Sequence, residues 1–91
     1  WCYQRADLPL PAQARETAAA RIAGMQWPPT LAGIPVRGVE VIDGTRVELA
    51  DGSWLLARPS GTEPLLRLYA EAHSEEAVDA LLRDARNLLG V

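Results

Sequence analysis

Residues 43–58 read Asp43-Gly44-Thr45-Arg46-Val47-Glu48-Leu49-Ala50-Asp51-Gly52-Ser53-Trp54-Leu55-Leu56-Ala57-Arg58. Two Asp-Gly pairs, each a turn signal, bracket a run in which Arg46-Val47-Glu48-Leu49 alternates polar and apolar at period two. Trp54 to Arg58 supplies the next short run. Two tight turns between short strands read as an antiparallel meander. Upstream, Val36 to Asp43 extends the series with Val39 and Val41 on one face. Downstream, Leu66, Leu68, Ala70 and Ala72 face one way while Arg67, Tyr69 and Glu71 face the other, as in a sheet with one buried and one wet face.

Helical signals flank the strands. Leu8-Pro9-Leu10-Pro11 is extended, because each proline pushes its predecessor out of helical geometry. The alanine-dense stretch 12–23 predicts a helix with a shallow apolar face of Ala14, Ala18 and Ile22, closed by Gly24 as a C-cap. Trp27-Pro28-Pro29-Thr30 and Gly33-Ile34-Pro35 read as a rigid connector. Ser74 is a good N-cap for the last element, and Glu75 and Glu76 sit where the helix dipole favours negative charge. Val78, Leu81, Leu82, Ala85 and Leu88 then form one apolar stripe. The fold class that follows is α+β, an antiparallel sheet of about four strands with two helices packed on one face.

Composition narrows the function. The 91 residues are 48% hydrophobic and 23% charged, so they build one modest core and leave little room to enclose a complete active site. A net charge of −3 argues against a general nucleic-acid binder, which needs a basic face. No apolar run approaches the ~20 residues of a membrane span. The single cysteine, Cys2, excludes an intrachain disulfide and suits a reducing, cytoplasmic setting. The first ten residues show no period and begin Trp1-Cys2-Tyr3 without Met. They read as a hinge or linker (1–10) ahead of a single domain (11–91) cut from a longer chain.

The candidate chemistry lies in Arg58-Pro59-Ser60-Gly61-Thr62-Glu63-Pro64. Two prolines limit the loop's freedom, and Gly61 permits the positive φ that lets successive N–H groups converge. Ser60 and Thr62 add hydroxyl donors, and Arg58 adds a fork matched to phosphate oxygens. Those residue types make a phosphate cradle. On spacing alone an ordinary hairpin connection with an edge-strand arginine is the preferred reading. Glu63, repulsive toward an anion, reads as a ligand of the loop backbone or a neighbour of an arginine. Arg67 reads as a surface cation or as a second phosphate ligand. His73 has no metal-spaced partner and reads as a surface residue.

Residues 51–64, followed by Leu65-Leu66-Arg67-Leu68-Tyr69-Ala70-Glu71-Ala72, closely resemble the C-terminal domain of the α-D-phosphohexomutases. The string Arg-Pro-Ser-Gly-Thr-Glu-Pro is highly specific for that superfamily. Trp54 before the loop is more similar to the phosphoglucomutase and phosphomannomutase branch than to the glucosamine branch. The resemblance implies a TBP-like domain, the fourth of four, that binds the non-reacting phosphate of a hexose phosphate or hexose bisphosphate. It implies Arg58, Ser60, Gly61 and Thr62 as phosphate ligands, with Glu63 and Arg67 as weaker candidates. It also implies that catalysis and Mg²⁺ belong to the other three domains, so that this domain has no cofactor and is inactive alone. Two other functions fit the same residues. One is a free-standing phosphosugar-binding module. The other is an interaction domain whose vestigial loop sits beside a partner surface of Arg67, Tyr69 and Glu71.

Overall fold

The computed structural model describes residues 1–9, 22, 24, 26–41, 44–59 and 65–89. Six strands form one antiparallel sheet: β1 (Cys2–Pro9), β2 (Thr30–Leu31), β3 (Ile34–Val41), β4 (Thr45–Leu49), β5 (Trp54–Pro59) and β6 (Leu65–Ala72). Their spatial order is β1-β6-β5-β4-β3-β2. One helix among the described residues, α1 (Glu75–Leu89), packs on β6 and β1. The α+β class expected from sequence is therefore present, with six strands in place of four and one described helix in place of two. The helix expected over 12–23 falls largely outside the described residues; Ile22 and Gly24 are helical, and Thr45 Oγ1 donates to Ile22 O at 3.4 Å.

The two added strands have physical reasons for being hard to see. β1 pairs with β6 along its whole length, from Cys2 opposite Ala72 to Pro9 opposite Leu65. Only Leu8 of this strand is buried, so its period-two signal is weak. As an edge strand it also tolerates Pro9, which cannot donate to a ladder. Trp1 closes its start, with its ring 3.9 Å from that of His73 and its edge against Gly52. β2 is two residues long and forms a hairpin with β3 inside the stretch read as a connector.

Alternation along β4, β5 and β6 builds the core. Val47, Leu49, Leu55, Ala57, Leu66, Leu68, Ala70 and Ala72 are all essentially inaccessible on the helix side. From α1 come Val78, Leu81, Leu82, Ala85 and Leu89. The stripe thus ends on Leu89, 5% exposed, rather than on Leu88, 37% exposed; a 3.6-residue period carries the buried face from 85 to 89. Ser74 caps the helix as expected, accepting from Ala77 N at 3.1 Å. Val39 and Val41 share the core face by register but stay 45% and 51% exposed, because α1 lies over β6 and β1 at the other side of the sheet. No helix among the described residues is long and apolar enough to cross a membrane.

Two turns depend on specific donors. In the β2–β3 hairpin, Ala32 and Gly33 have φ of 52° and 78°, the pattern of a two-residue turn that favours glycine at both positions. Ala32 is held there by its N–H, which donates to Asp84 Oδ2 of α1 at 2.9 Å. In the β4–β5 turn, Ser53 N donates to Asp51 Oδ1 at 2.9 Å, and Gly52 takes φ 91°. That bond, chiefly, holds the Asp51 carboxyl below its ordinary range; slight burial opposes it, and the nearby His73 charge assists.

Asp84→Ala should lower unfolding stability by about 1–3 kcal/mol, since it leaves a part-buried N–H without its acceptor. Ala32→Gly should raise stability by up to about 1 kcal/mol, because it removes left-handed strain from a residue with a Cβ. Urea unfolding checks both, and an unchanged midpoint for Asp84→Ala would contradict the pinning role. A lowered folded-state pKa contributes stability above the unfolded carboxylate value of about 3.9 and loses it as pH falls. Acid unfolding of Asp51→Ala should accordingly show a shallower fall in stability below pH of about 4 than the parent chain.

Candidate functional site

The β5–β6 hairpin fixes the mouth of the loop at residues 60–64. Its register runs from Trp54 opposite Glu71, through Leu56 opposite Tyr69, to Arg58 opposite Arg67 and Pro59 opposite Leu66. Directly opposed residues share a face, so Arg58 and Arg67 both lie on the side away from α1. Arg67 also stands opposite Asp7 of β1. A row of Asp7, Arg67 and Arg58 therefore crosses three adjacent strands at the end of the sheet that leads into the loop.

That juxtaposition has an electrostatic consequence. Like charges directly opposite on a sheet are destabilising by roughly 0.2–1 kcal/mol. Asp7, opposite Arg67, carries the opposite charge, and its Oδ1 also lies 3.5 Å from Arg5 Nε. Two guanidinium forks at one loop mouth suit an anion with several oxygens. Arg58 is exposed and Arg67 half-buried. Ser60, Gly61, Thr62 and Glu63, which the sequence puts in the same cradle, lie outside the described residues.

Gly44 is a third neighbour of Arg58. It precedes Thr45, which pairs with Ala57, and it takes φ 123°. A Cβ at Gly44 would lie 3.2 Å from Arg58 Cβ and 3.5 Å from its Cγ. Sequence reading identifies Asp43-Gly44 as a turn but does not bring it to the loop. It also misses Asp7, since the first ten residues read as a linker. Gly44 follows from the β4–β5 register, whereas Asp7 needs the long-range pairing of β1 with β6, for which the sequence gives no local signal.

The rest of this face is a network of arginines, carboxylates and aromatics. Trp54 Nε1 donates to Glu71 Oε1 at 3.0 Å, and the Arg46 guanidinium sits 4.6 Å from the Trp54 ring centroid. Arg46 and Arg37 both reach Glu48 at 3.3 Å. Tyr3 lies 6.2 Å from Trp54. Trp54 is thus fixed by a hydrogen bond and a cation–π contact at the far end of the hairpin from Arg58 and Arg67. His73 is exposed and bonds Asp51 O through Nε2 at 2.8 Å. No three His, Cys, Asp or Glu residues converge among the described residues. An open groove of about 360 Å³, lined by Ala6, Asp79, Leu82, Arg83, Arg86 and Asn87, lies on the helix side. It shares no residue with the loop mouth.

Comparison with known proteins bears on the family of the chain. Residues 6–88 match the family described as phosphoglucomutase/phosphomannomutase, C-terminal domain. A probable phosphoglucosamine mutase of Thermococcus kodakarensis is 39% identical over 85 residues, 93% of this chain and 18% of that protein. A second, from Pyrococcus horikoshii, is 52% identical over 48 residues, 53% of this chain and 10% of that protein. A phosphopentomutase of Thermococcus kodakarensis is 50% identical over 50 residues, 55% of this chain and 11% of that protein. The chain therefore spans less than a fifth of the length of these curated relatives. The matched family carries the description of the branch that Trp54 suggested, while these relatives are named for glucosamine and pentose mutases. With a match across residues 6–88, the chain belongs to the phosphoglucomutase/phosphomannomutase C-terminal domain family.

Proposed function

We propose that this chain is the substrate-phosphate-binding domain of a phosphohexomutase, which interconverts hexose 1-phosphate and hexose 6-phosphate through a bisphosphorylated intermediate. The observation that supports the reading is the register pair of Arg58 and Arg67 at the mouth of loop 60–64. A phosphate monoester carries about −1.5 to −2 charges at neutral pH and three acceptor oxygens. It would accept from both guanidiniums as well as from Ser60, Thr62 and the loop amides. Each charge-assisted hydrogen bond contributes about 1.5–3 kcal/mol.

The domain's part in catalysis is positioning. Holding the phosphate that does not react supplies remote binding energy and fixes the distance of the reacting oxygen from the transferring group. No acid, base or metal is needed in this loop. Mg²⁺ and the phosphoryl donor belong to the rest of the enzyme, and the chain alone transfers nothing. The names of the relatives fit this division. One is a pentose phosphate mutase and two are glucosamine phosphate mutases, and the feature their substrates share is the phosphate.

The intermediate must turn around between half-reactions, so the site has to release each phosphate. Neutral hydroxyl and amide donors around two arginines allow that better than a cluster of lysines would. Titrating the chain with glucose 1-phosphate while following amide chemical shifts should give weak, saturable binding near millimolar, about −4 kcal/mol. Shifts should centre on residues 58–67. Arg58→Ala should weaken that binding about tenfold or more, the equivalent of one charged hydrogen bond. Unaltered affinity in this variant would remove the assignment.

A further inference from the structure

We propose that the groove between β1 and α1 receives an extended acidic peptide segment, which pairs with the outer edge of β1 and sets its carboxylates on Arg83 and Arg86. The surface is separate from loop 60–64 and does not rest on the phosphate reading.

The groove follows from a small side chain under the flank of a helix. Cys2, Gln4, Ala6 and Leu8 lie on the core face of β1, opposite Ala72, Ala70, Leu68 and Leu66. Leu8 is buried but Ala6 only half-buried, since a single methyl cannot fill the space beneath α1. Asp79, Leu82, Arg83, Arg86 and Asn87 recur at i, i+3, i+4, i+7 and i+8, one face of the helix. With Ala6 they line an open volume of about 360 Å³.

Two features of this groove are left open among the described residues. The first is charge. Arg5, Arg37 and Arg46 each pair with a carboxylate, whereas Arg83 and Arg86 are exposed and make no ion pair among the described residues. Asp79 lies one turn before Arg83 without pairing with it, and the Asp84 carboxylate is taken up by Ala32 N–H. Two guanidiniums against one lining carboxylate leave the groove positive on a chain of net charge −3. Arg86 complements the helix dipole from the last turn. Arg83 stands a turn earlier, where that effect has faded.

The second feature is backbone. β1 is an end strand of the sheet, and no described strand pairs with its outer side. Such an edge is a template for an incoming strand. A strand added there turns alternate side chains toward the groove, about 6.6 Å apart. Two acidic residues at i and i+2 would rest their stems on Ala6 and Leu82 and present carboxylates to the guanidiniums. The edge supplies affinity through main-chain hydrogen bonds, and the arginines select the sequence.

The test titrates the ¹⁵N-labelled chain with a capped pentapeptide alternating valine and glutamate. Saturable amide shifts are expected across residues 2–9 and 79–87, with affinity falling as salt rises. A peptide with glutamine in place of glutamate should bind about two- to thirtyfold more weakly, the range for two exposed ion pairs. The original peptide should lose as much on the chain carrying Arg83→Gln and Arg86→Gln. Methylating every second peptide nitrogen should abolish binding in one phase and spare it in the other, because only one edge of the peptide meets β1. These peptide changes leave the chain untouched, so a loss of binding there is not misfolding. Equal affinity of the glutamine peptide would overturn the charge reading, and equal affinity of both methylated peptides would overturn strand addition. Shifts confined to residues 58–67 would assign the peptide to the loop mouth and remove the groove. Shifts of residues 2–9 that depend on dilution of the free chain would make a second copy the occupant of this edge, against the proposal.

Discussion

The register between β5 and β6 is the constraint on which the rest of the structure depends. Side chains alternate at period two, so a slip of one residue would turn Leu66, Leu68, Ala70 and Ala72 toward solvent and bury Arg67, Tyr69 and Glu71. Each leucine so exposed forfeits about 1.5–3 kcal/mol of burial, and each charge so buried adds a larger penalty. The same lock that keeps the leucines under α1 keeps Arg58 facing Arg67. The loop mouth is thus specified by the core rather than by contacts within the loop. Placing binding residues at the ends of rigid strands holds them more reliably than a loop could alone.

β1 extends this logic. It is the first strand in the chain, and it lies beside the last. The pairing brings Asp7 next to Arg67 across some sixty positions of sequence. Trp1, tilted against His73 and resting on Gly52, secures the opposite end of the strand. The contribution of β1 to the site is electrostatic. Asp7 stands opposite Arg67 in the register and pairs with Arg5 at 3.5 Å, so the first strand brings a carboxylate into the row that leads to the loop.

The parts of the fold legible in sequence are those encoded by near neighbours. The Asp51-Gly52 turn, the alternation of β6, the Ser74 cap and the stripe of α1 each depend on residues a few positions apart. β1 was not legible because its signal is distributed: one buried leucine, two smaller half-buried side chains and a proline, given meaning only by a partner strand at the other end of the chain. β2 is too short to show a period. For the site, the residue types of 58–64 were readable as a cradle. What sequence could not supply was the third dimension that sets Arg67, Asp7 and Gly44 around Arg58. Arg67 in particular read as a surface cation ahead of a phosphate ligand, because its neighbour across the hairpin is nine residues away and becomes visible only with the register.

The arrangement also bears on why all nine basic residues of the chain are arginine. A strand-mounted guanidinium has a planar fork whose hydrogen bonds depend on angle, whereas a lysine ammonium acts as a point charge on a flexible stem. A site of the kind proposed for this domain, taking two phosphates of one intermediate in alternation, would gain from angular selectivity, because it could grip a correctly oriented ester and let a misoriented one go. Substituting lysine at position 58 would keep the charge and lose the fork. It should therefore weaken phosphate binding by nearly as much as alanine does if geometry dominates, and by far less if charge alone does.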